Sequence, residues 1–162
     1  MLKSTLMTDP STPEKRLEEM GLELPAPPSP GGNYVPVKRA GTTLYLSGVI
    51  STGQQGIITG MAGVDRTIEE GYAAAQACAL TQLAVIRREL GSLDAVAEVL
   101  TVNGYVNAAP GFPDSPAIIN GASDLLVKVF GEDGRHVRAA LGVSALPRNA
   151  LVELQMSVRV KE

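Results

Sequence analysis

Two segments with helical periodicity alternate with strand-like segments in the second half of the chain, and this order restricts the fold more than any other feature. The helical segments are 67–91 and 115–131, and the strand-like segments are 95–108, 136–145 and 151–160. Two apolar helical stripes can cover only one face of a sheet, so the other face must meet water or another subunit. The pattern predicts an α+β fold with both helices on one face.

Local signals mark where these two helices begin and end. Thr67 and Glu70 have the spacing of a capping box, and Gly91 is a typical helix terminator. In the second helix Ser115 is the predicted cap and Gly131 the predicted end.

The N-terminal part of the chain has a different composition. Segment 11–21 predicts a short helix with Ser11 as its cap and Glu14 in a capping box, and 22–33 is rich in proline and glycine. Residues 1–32 are therefore predicted to be an N-terminal helix and proline-rich extension laid on a main domain of residues 33–162. That domain opens with a hairpin, "NYVPVKRAGTTLYLSGVI", which completes the order β-β-α-β-α-β-β.

The overall composition excludes several classes of function. A net charge of −3 gives no basic patch for nucleic acid, and one His with one Cys argues against a zinc site. No apolar run is long enough to span a membrane, and the first residues lack a signal-peptide core. The Gly-rich loop 51–63 has no phosphate-binding spacing. We expect a cytoplasmic protein without metal, nucleic-acid or membrane partners.

The last two strands each carry a charge in an otherwise apolar setting. Alternation places Arg138 opposite the Val137 side of its strand, and Glu153 opposite the Val152 side of the next. We expect Arg138 and Glu153 to lie together on the sheet face without helices, on adjacent strands. Two interpretations stay open: a surface or interface ion pair, or a ligand site.

Several motifs resemble the RidA/YjgF family, also called the endoribonuclease L-PSP family. They are Arg138 followed by "GVSALP" and "VE", with "GNYVP" at 32–36, "LYLSG" at 44–48 and "INGASDLLVKVFGEDGRHVR" at 119–138. The resemblance covers about residues 33–161 and is strongest to a longer-chained bacterial subgroup. It implies a chorismate-mutase-like fold, a homotrimer, and sites in clefts between subunits.

The resemblance also implies a chemistry and a set of site residues. Family members like RidA hydrolyse reactive enamines and imines, such as 2-aminoacrylate, to 2-keto acid and ammonia without a cofactor. By this resemblance Arg138 binds the substrate carboxylate and Glu153 is associated with the attacking water. Tyr34, Ser47 and Asn120 match further substrate-binding positions.

Two positions depart from the family pattern. Val49 replaces a glutamine, and Ala140 stands at a substrate-binding position that is usually cysteine, where the backbone carbonyl is thought to act. Val49 makes the expected pocket less polar and puts the substrate range in doubt. Cys78, inside an alanine-rich helix, is predicted to be a buried packing residue. His136 shares a strand face with Arg138 and is expected in a supporting or interface role rather than a catalytic one.

Two functions of different classes fit these residues. The first is a cofactor-independent enamine/imine deaminase, and the second is a non-catalytic module that binds a small carboxylate such as a keto acid in the cleft between subunits. Arg138 serves both, whereas Glu153 is needed mainly for hydrolysis. Ribonuclease activity has little physical support, because the chain has no basic groove and a single His.

Overall fold

The structure is a computed structural model that describes residues 11–162. Its helices are α1 (Pro13–Glu19), α2 (Ile68–Leu90) and α3 (Ser115–Phe130). Its strands are β1 (Val37–Ala40), β2 (Thr43–Leu46), β3 (Val49–Ile50), β4 (Thr52–Gly53), β5 (Gly56–Ile57), β6 (Val96–Asn107), β7 (Val137–Val143) and β8 (Val152–Val160). The predicted α+β class and main element order are confirmed. The short strands β3 to β5 were not predicted; β4 and β5 pair within the Gly-rich loop.

The main sheet has the strand order β1-β2-β8-β6-β7, and β3 also pairs with β8. β6 is parallel to β7 through the α3 crossover, and its other neighbour β8 is antiparallel. The predicted hairpin is confirmed, because β1 and β2 are antiparallel and Ala40 pairs with Thr43. β7 is consequently an edge strand of the sheet.

Helices α2 and α3 pack side by side on one face of the sheet, as predicted. A Cβ atom at Gly121 of α3 would overlap the carbonyl oxygen of Tyr72 in α2, so only glycine allows this approach. Gly104 of β6 likewise leaves room for Ile119 of α3, because a Cβ atom at this position would overlap the Ile119 side chain. The core lies between these helices and the apolar faces of β6 and β8.

The opposite sheet face has no helix on it within residues 11–162, and we call it the open face. Large apolar side chains are exposed there on strands near both ends of the sheet: Tyr45 is 57% exposed, Val137 71% and Leu141 53%. Between them the open face carries polar residues of β6 and β8, such as Thr101, Asn103 and Gln155.

The predicted positions of Arg138 and Glu153 are wrong in two respects. β7 and β8 are not neighbours, because β6 lies between them. Arg138 pairs with Val102 of β6, which pairs with Met156 of β8, and both apolar side chains are buried under the helices. Arg138 therefore points to the helix-covered face, beside α3, while Glu153 lies on the open face as expected. Because β7 is an edge strand, its apolar residues Val137 and Leu141 lie on the open face. Arg138, on the other side of the strand, reaches the side of α3.

Helix α1 lies on the main domain. Leu17 is only 2% exposed within the hydrophobic core, and the Arg16 guanidinium donates to the Val129 carbonyl at 3.0 Å. The carboxylate of Glu14 accepts from the Arg87 guanidinium at 2.6 and 3.1 Å and from the Leu93 amide at 2.8 Å. The extension boundary at residue 32 stays a prediction, but its helix contributes directly to the core.

The sequence signals correctly predicted some of the helix caps and ends but not others. The Thr67–Glu70 capping box and the ends at Gly91 and Gly131 are confirmed. In α1 the cap is Thr12, because its hydroxyl accepts from the Lys15 amide, and the predicted Ser11 cap is wrong. The predicted capping box at Glu14 is also wrong, since that carboxylate binds Arg87 instead. In α3 the N-cap is Asp114, so Ser115 is the first helical residue and not the cap.

Candidate functional site

The predicted site residues fall into two separate groups within one chain. The first, which we call the arginine cluster, consists of Arg138 with the residues that surround its side chain: Asn120, Ser123, the carbonyl of Pro116, and His136. The second, the glutamate cluster, consists of Glu153, Gly48, Ser47 and Tyr34. Arg138 and Glu153 themselves lie on opposite faces of the sheet.

In the arginine cluster, α3 fixes the guanidinium through neutral oxygen atoms. Arg138 Nη1 donates to Asn120 Oδ1 at 2.8 Å and to Ser123 Oγ at 3.0 Å, and Nη2 donates to the Pro116 carbonyl at 3.2 Å. Asn120 and Ser123 are three residues apart and so share one side of the helix. No carboxylate within residues 11–162 pairs with Arg138. The described residues therefore orient the positive charge without neutralising it.

A guanidinium has five N–H donors, and three of those in Arg138 are used by α3. The remaining two are on Nε and Nη2, which are adjacent on one edge of the group. That pair matches the two oxygens of a carboxylate. Asn120, predicted to bind substrate, contacts Arg138 directly and so can position it.

Ala140 lies on the same side of β7 as Arg138. It pairs with Gly104 and packs, half-buried, against the hydrophobic core. Its role in binding a ligand through its backbone stays a prediction.

In the glutamate cluster, Gly48 makes room for the carboxylate of Glu153. A Cβ atom at Gly48 would lie 2.8 Å from Glu153 Oε1. Glu153 is half-buried and its carboxylate accepts no hydrogen bond from the described residues. Burial raises its pKa above the ordinary value. A carboxylate with a raised pKa is a stronger base than an ordinary carboxylate.

Ser47 and Tyr34 border a small cavity beside Gly48. The cavity has a volume of about 30 Å³, and Pro28 and Pro30 of the N-terminal extension also line it. The Ser47 hydroxyl donates to the Val35 carbonyl at 2.6 Å. The proline-rich segment thus lines the same small cavity as Ser47 and Tyr34.

Gln82 of α2 forms hydrogen bonds to the backbone of this cluster from the helix side of the sheet. It is fully buried, and its amide nitrogen donates to the carbonyls of Ser47 and Leu154 at 2.9 and 3.0 Å. It therefore connects the link between β2 and β3, which carries Ser47, to β8, which carries Glu153. Sequence reasoning missed Gln82, Ser123 and Gly48. Only Ser123 had a usable signal, its three-residue spacing from Asn120.

Cys78 is buried and its thiol lies 3.6 and 3.7 Å from the carbonyl oxygens of Val49 and Val152. Burial, and secondarily the charge of Glu153, raise the pKa of this thiol far above its ordinary value. Cys78 is therefore an unreactive packing residue, as predicted. No group of three or more metal-ligating side chains occurs within residues 11–162.

One chain cannot place Arg138 and Glu153 on the same small ligand. Their strands are separated by β6, and the register offsets Glu153 by three residues from Met156, which is level with Arg138. Strand spacings of about 4.8 Å and a rise of about 3.4 Å per residue put their Cα atoms on the order of 14 Å apart. A site that uses both residues has to combine two copies of the chain.

The sequence profile of the family described as "YjgF/chorismate_mutase-like, putative endoribonuclease" matches residues 14–159. The chain belongs to the YjgF/RidA family. The matched range includes helix α1, so the family similarity begins earlier than the resemblance noted at residue 33. None of the described helices is long and apolar enough to cross a membrane.

Three relatives are similar over nearly their whole length. Protein TCP17 of Trypanosoma cruzi is 42% identical over 146 residues, which cover 89% of this chain and 91% of that one. The structure of protein Atu1372 from Agrobacterium tumefaciens is 39% identical, covers 92% of both chains and has a TM-score of 0.84. A structure from Shewanella oneidensis, described as a "putative endoribonuclease", is 34% identical with a TM-score of 0.89 and covers 93% of this chain and 100% of that one. These relatives support the chorismate-mutase-like fold.

Proposed function

We propose that this protein hydrolyses the enamine and imine forms of 2-amino acids to 2-keto acids and ammonia, with Arg138 binding the substrate carboxylate. The proposal rests on the hydrogen-bonding environment of the Arg138 guanidinium. Three neutral oxygens hold it, and within residues 11–162 no carboxylate pairs with it and one N–H on Nε and one on Nη2 have no partner. A planar fork of this kind binds a carboxylate with two parallel hydrogen bonds.

The chemistry needs only water and an oriented base. An enamine such as 2-aminoacrylate becomes an imine when its terminal carbon takes up a proton and its nitrogen loses one. Water then adds to the imine carbon and forms a carbinolamine. The C–N bond breaks, the nitrogen leaves as ammonia with the proton it has gained, and the carbon keeps the oxygen of water as a ketone.

Glu153 is the proposed base for the attacking water. Burial raises its pKa, so the carboxylate can take a proton from water during attack and return it to the leaving nitrogen. Because Arg138 and Glu153 lie on opposite faces of one chain, we propose that each site combines the arginine cluster of one subunit with the glutamate cluster of its neighbour. Tyr34 and Ser47 border the ligand from the glutamate side.

The open face supports an assembly, which we propose to be a homotrimer. Exposed Tyr45, Val137 and Leu141 give this face an apolar surface. Contact through it would bring β7 of one subunit towards the β8 side of another. Sedimentation should show a stable trimer, and a monomer at micromolar concentration would contradict the shared site.

A coupled assay tests the activity. A pyridoxal-dependent enzyme generates 2-aminoacrylate or a longer-chain imine, and the release of keto acid is timed with and without this protein. We expect acceleration in the presence of the protein and no acceleration with the Arg138→Ala variant. Acceleration by Arg138→Ala equal to that of the parent would make the charged residue structural.

The alternative function is a keto-acid-binding regulatory module. It is favoured by the completeness of the arginine cluster within one chain, since binding a carboxylate does not need Glu153. Tight binding of pyruvate with no acceleration across several amino-acid-derived imines would select this alternative.

A further inference from the structure

His136 and Ser123 form a chain of hydrogen bonds behind Arg138 whose directions are set by the groups at its two ends. His136 Nδ1 lies 2.7 Å from the Gly134 carbonyl oxygen, and Nε2 lies 2.8 Å from Ser123 Oγ. A carbonyl oxygen can only accept, so Nδ1 carries a proton. In the neutral ring Nε2 is therefore an acceptor, and the Ser123 hydroxyl donates to it.

Packing fixes the position of the Gly134 carbonyl, which begins this series of hydrogen bonds. Gly134 is buried, and a Cβ atom there would overlap the carbonyl oxygen of Leu126 in α3. The turn cannot move towards α3 without a clash. The acceptor that selects the tautomer of His136 is thus part of the fold itself.

The other end of this series of hydrogen bonds is the guanidinium of Arg138. Because the Ser123 hydroxyl donates its only proton to His136, its lone pairs are available to Arg138 Nη1, which donates to it at 3.0 Å. Neutral His136 thereby keeps Ser123 as an acceptor for Arg138. If Nε2 accepted no proton, that hydroxyl could rotate and donate elsewhere, such as to a carbonyl in the preceding turn of α3.

We propose that His136 is a positioning residue for the carboxylate site, acting on Arg138 through the hydroxyl of Ser123. The inference rests on the proposed function, in which Arg138 binds a carboxylate. His136 touches neither substrate nor water in this scheme. It holds Ser123 so that Nη1 stays occupied, and Nε and Nη2 stay turned to the ligand.

The same geometry couples His136 to ligand charge. Burial and the nearby charge of Arg138 lower the pKa of His136, although the Gly134 carbonyl acts in the opposite direction. The other groups that face the ring are neutral: Ser123 from α3 and the Gly134 carbonyl from its own turn. Neighbouring Arg135 is paired with Glu132 at 3.1 Å. Protonation of Nε2 removes the acceptor that orients the Ser123 hydroxyl, so proton and carboxylate ligand should each weaken the binding of the other.

The chain contains one His, so its imidazole can be followed by nitrogen NMR without interference. We expect the Nδ1–H tautomer in the free protein at about pH 8 and a titration below the ordinary value of about 6.5. Arg138→Ala should raise the pKa of His136. An Nε2–H tautomer would reverse the direction of the Ser123 hydroxyl and overturn the proposal.

Calorimetry with pyruvate as the probe tests the effect on binding. Ser123→Ala and His136→Phe should each weaken pyruvate affinity by about fivefold, the worth of one neutral hydrogen bond. The double variant should be no weaker than either single variant, since both break one chain. Ser123→Thr and His136→Gln keep a hydroxyl and an acceptor and should stay within about twofold of the parent. Additive losses, or no loss in either single variant, would overturn the proposal.

A pH series is measured in the Glu153→Gln background, where that carboxyl cannot titrate. Affinity for pyruvate should fall as the pH is lowered through the His136 titration, because protonation removes the acceptor for the Ser123 hydroxyl, and His136→Gln should remove the fall. A rise in the parent, or a fall that persists in His136→Gln, would contradict the coupling. Arg135→Gln is the matched control and should leave the profile unchanged. If the parent binds no pyruvate, the proposed function fails, while the tautomer and the effect of Arg138→Ala on it still decide the hydrogen-bond chain.

Discussion

Removal of the Arg138 guanidinium should nearly abolish turnover without unfolding the protein. Two of its donors, on Nε and Nη2, are free for a carboxylate, and each charge-assisted hydrogen bond contributes about 1.5–3 kcal/mol. The loss of both is about 3–6 kcal/mol, which corresponds to a decrease in kcat/KM of about a hundredfold to ten-thousandfold. Arg138→Ala should therefore fall in this range in the coupled imine assay.

The comparison with Arg138→Lys separates charge from geometry. An ammonium keeps the charge but lacks the planar fork, so Arg138→Lys should recover only part of the loss. Glu153→Gln, which keeps the size of the side chain, should lower kcat while leaving pyruvate affinity nearly unchanged. All three variants must first show the oligomeric state of the parent. Parental kcat/KM in a correctly assembled Arg138→Ala would refute the assignment of this residue to the substrate.

Two further predictions test the glutamate cluster and the N-terminal helix. Gly48→Ala should displace the Glu153 carboxylate, because a Cβ atom would lie 2.8 Å from Oε1, and it should lower kcat with little change in Tm. Unchanged turnover with an unchanged Tm would show that the position of this carboxylate is not critical. Leu17→Ala should destabilise the fold by about 2–5 kcal/mol, because Leu17 is 2% exposed in the core. Thermal unfolding should show a Tm lowered by several degrees, and an unchanged Tm would mean that α1 contributes nothing to stability.

The class of fold was predictable because hydrophobic periodicity dominates it. The long helix between Thr67 and Gly91 has a capping box, an apolar stripe and a terminating glycine that agree with one another. Strand β6 was similarly clear from its length and apolar content. Local and tertiary preferences coincide in these elements, so sequence alone was sufficient.

The arrangement of the strands was not predictable in the same way. Alternation correctly separated Arg138 from Val137, but it could not say which set faces the helices. That depends on β7 being an edge strand beside β6, which puts Arg138 next to α3 rather than next to β8. Pairing between strands that are distant in sequence is a tertiary property and leaves no local signal.

The candidate site was predictable as a set of residues but not as a geometry. The resemblance to the family pointed to Arg138, Asn120 and Glu153. Ser123 had only its three-residue spacing from Asn120 as a signal, and Gln82 emerged only from contacts in the fold. Gln82 sits on a buried helix face where a sequence pattern favours apolar residues. Its role depends on carbonyl groups of two strands that only the folded chain brings together.

The most direct test of the account is complementation between two inactive variants. Arg138→Ala and Glu153→Gln are dissociated, mixed in equal amounts and reassembled, and imine hydrolysis is measured against the parent treated alike. If each site takes Arg138 from one subunit and Glu153 from another, roughly one quarter of the sites regain both residues in any symmetric ring.

A second mixture serves as the control. The double variant reassembled with the parent should keep roughly one quarter of parental activity if sites are shared, and roughly one half if each chain carries its own site. We predict recovery to about one quarter in both mixtures. No recovery from the two single variants, together with one half in the control, would contradict a catalytic site shared between subunits.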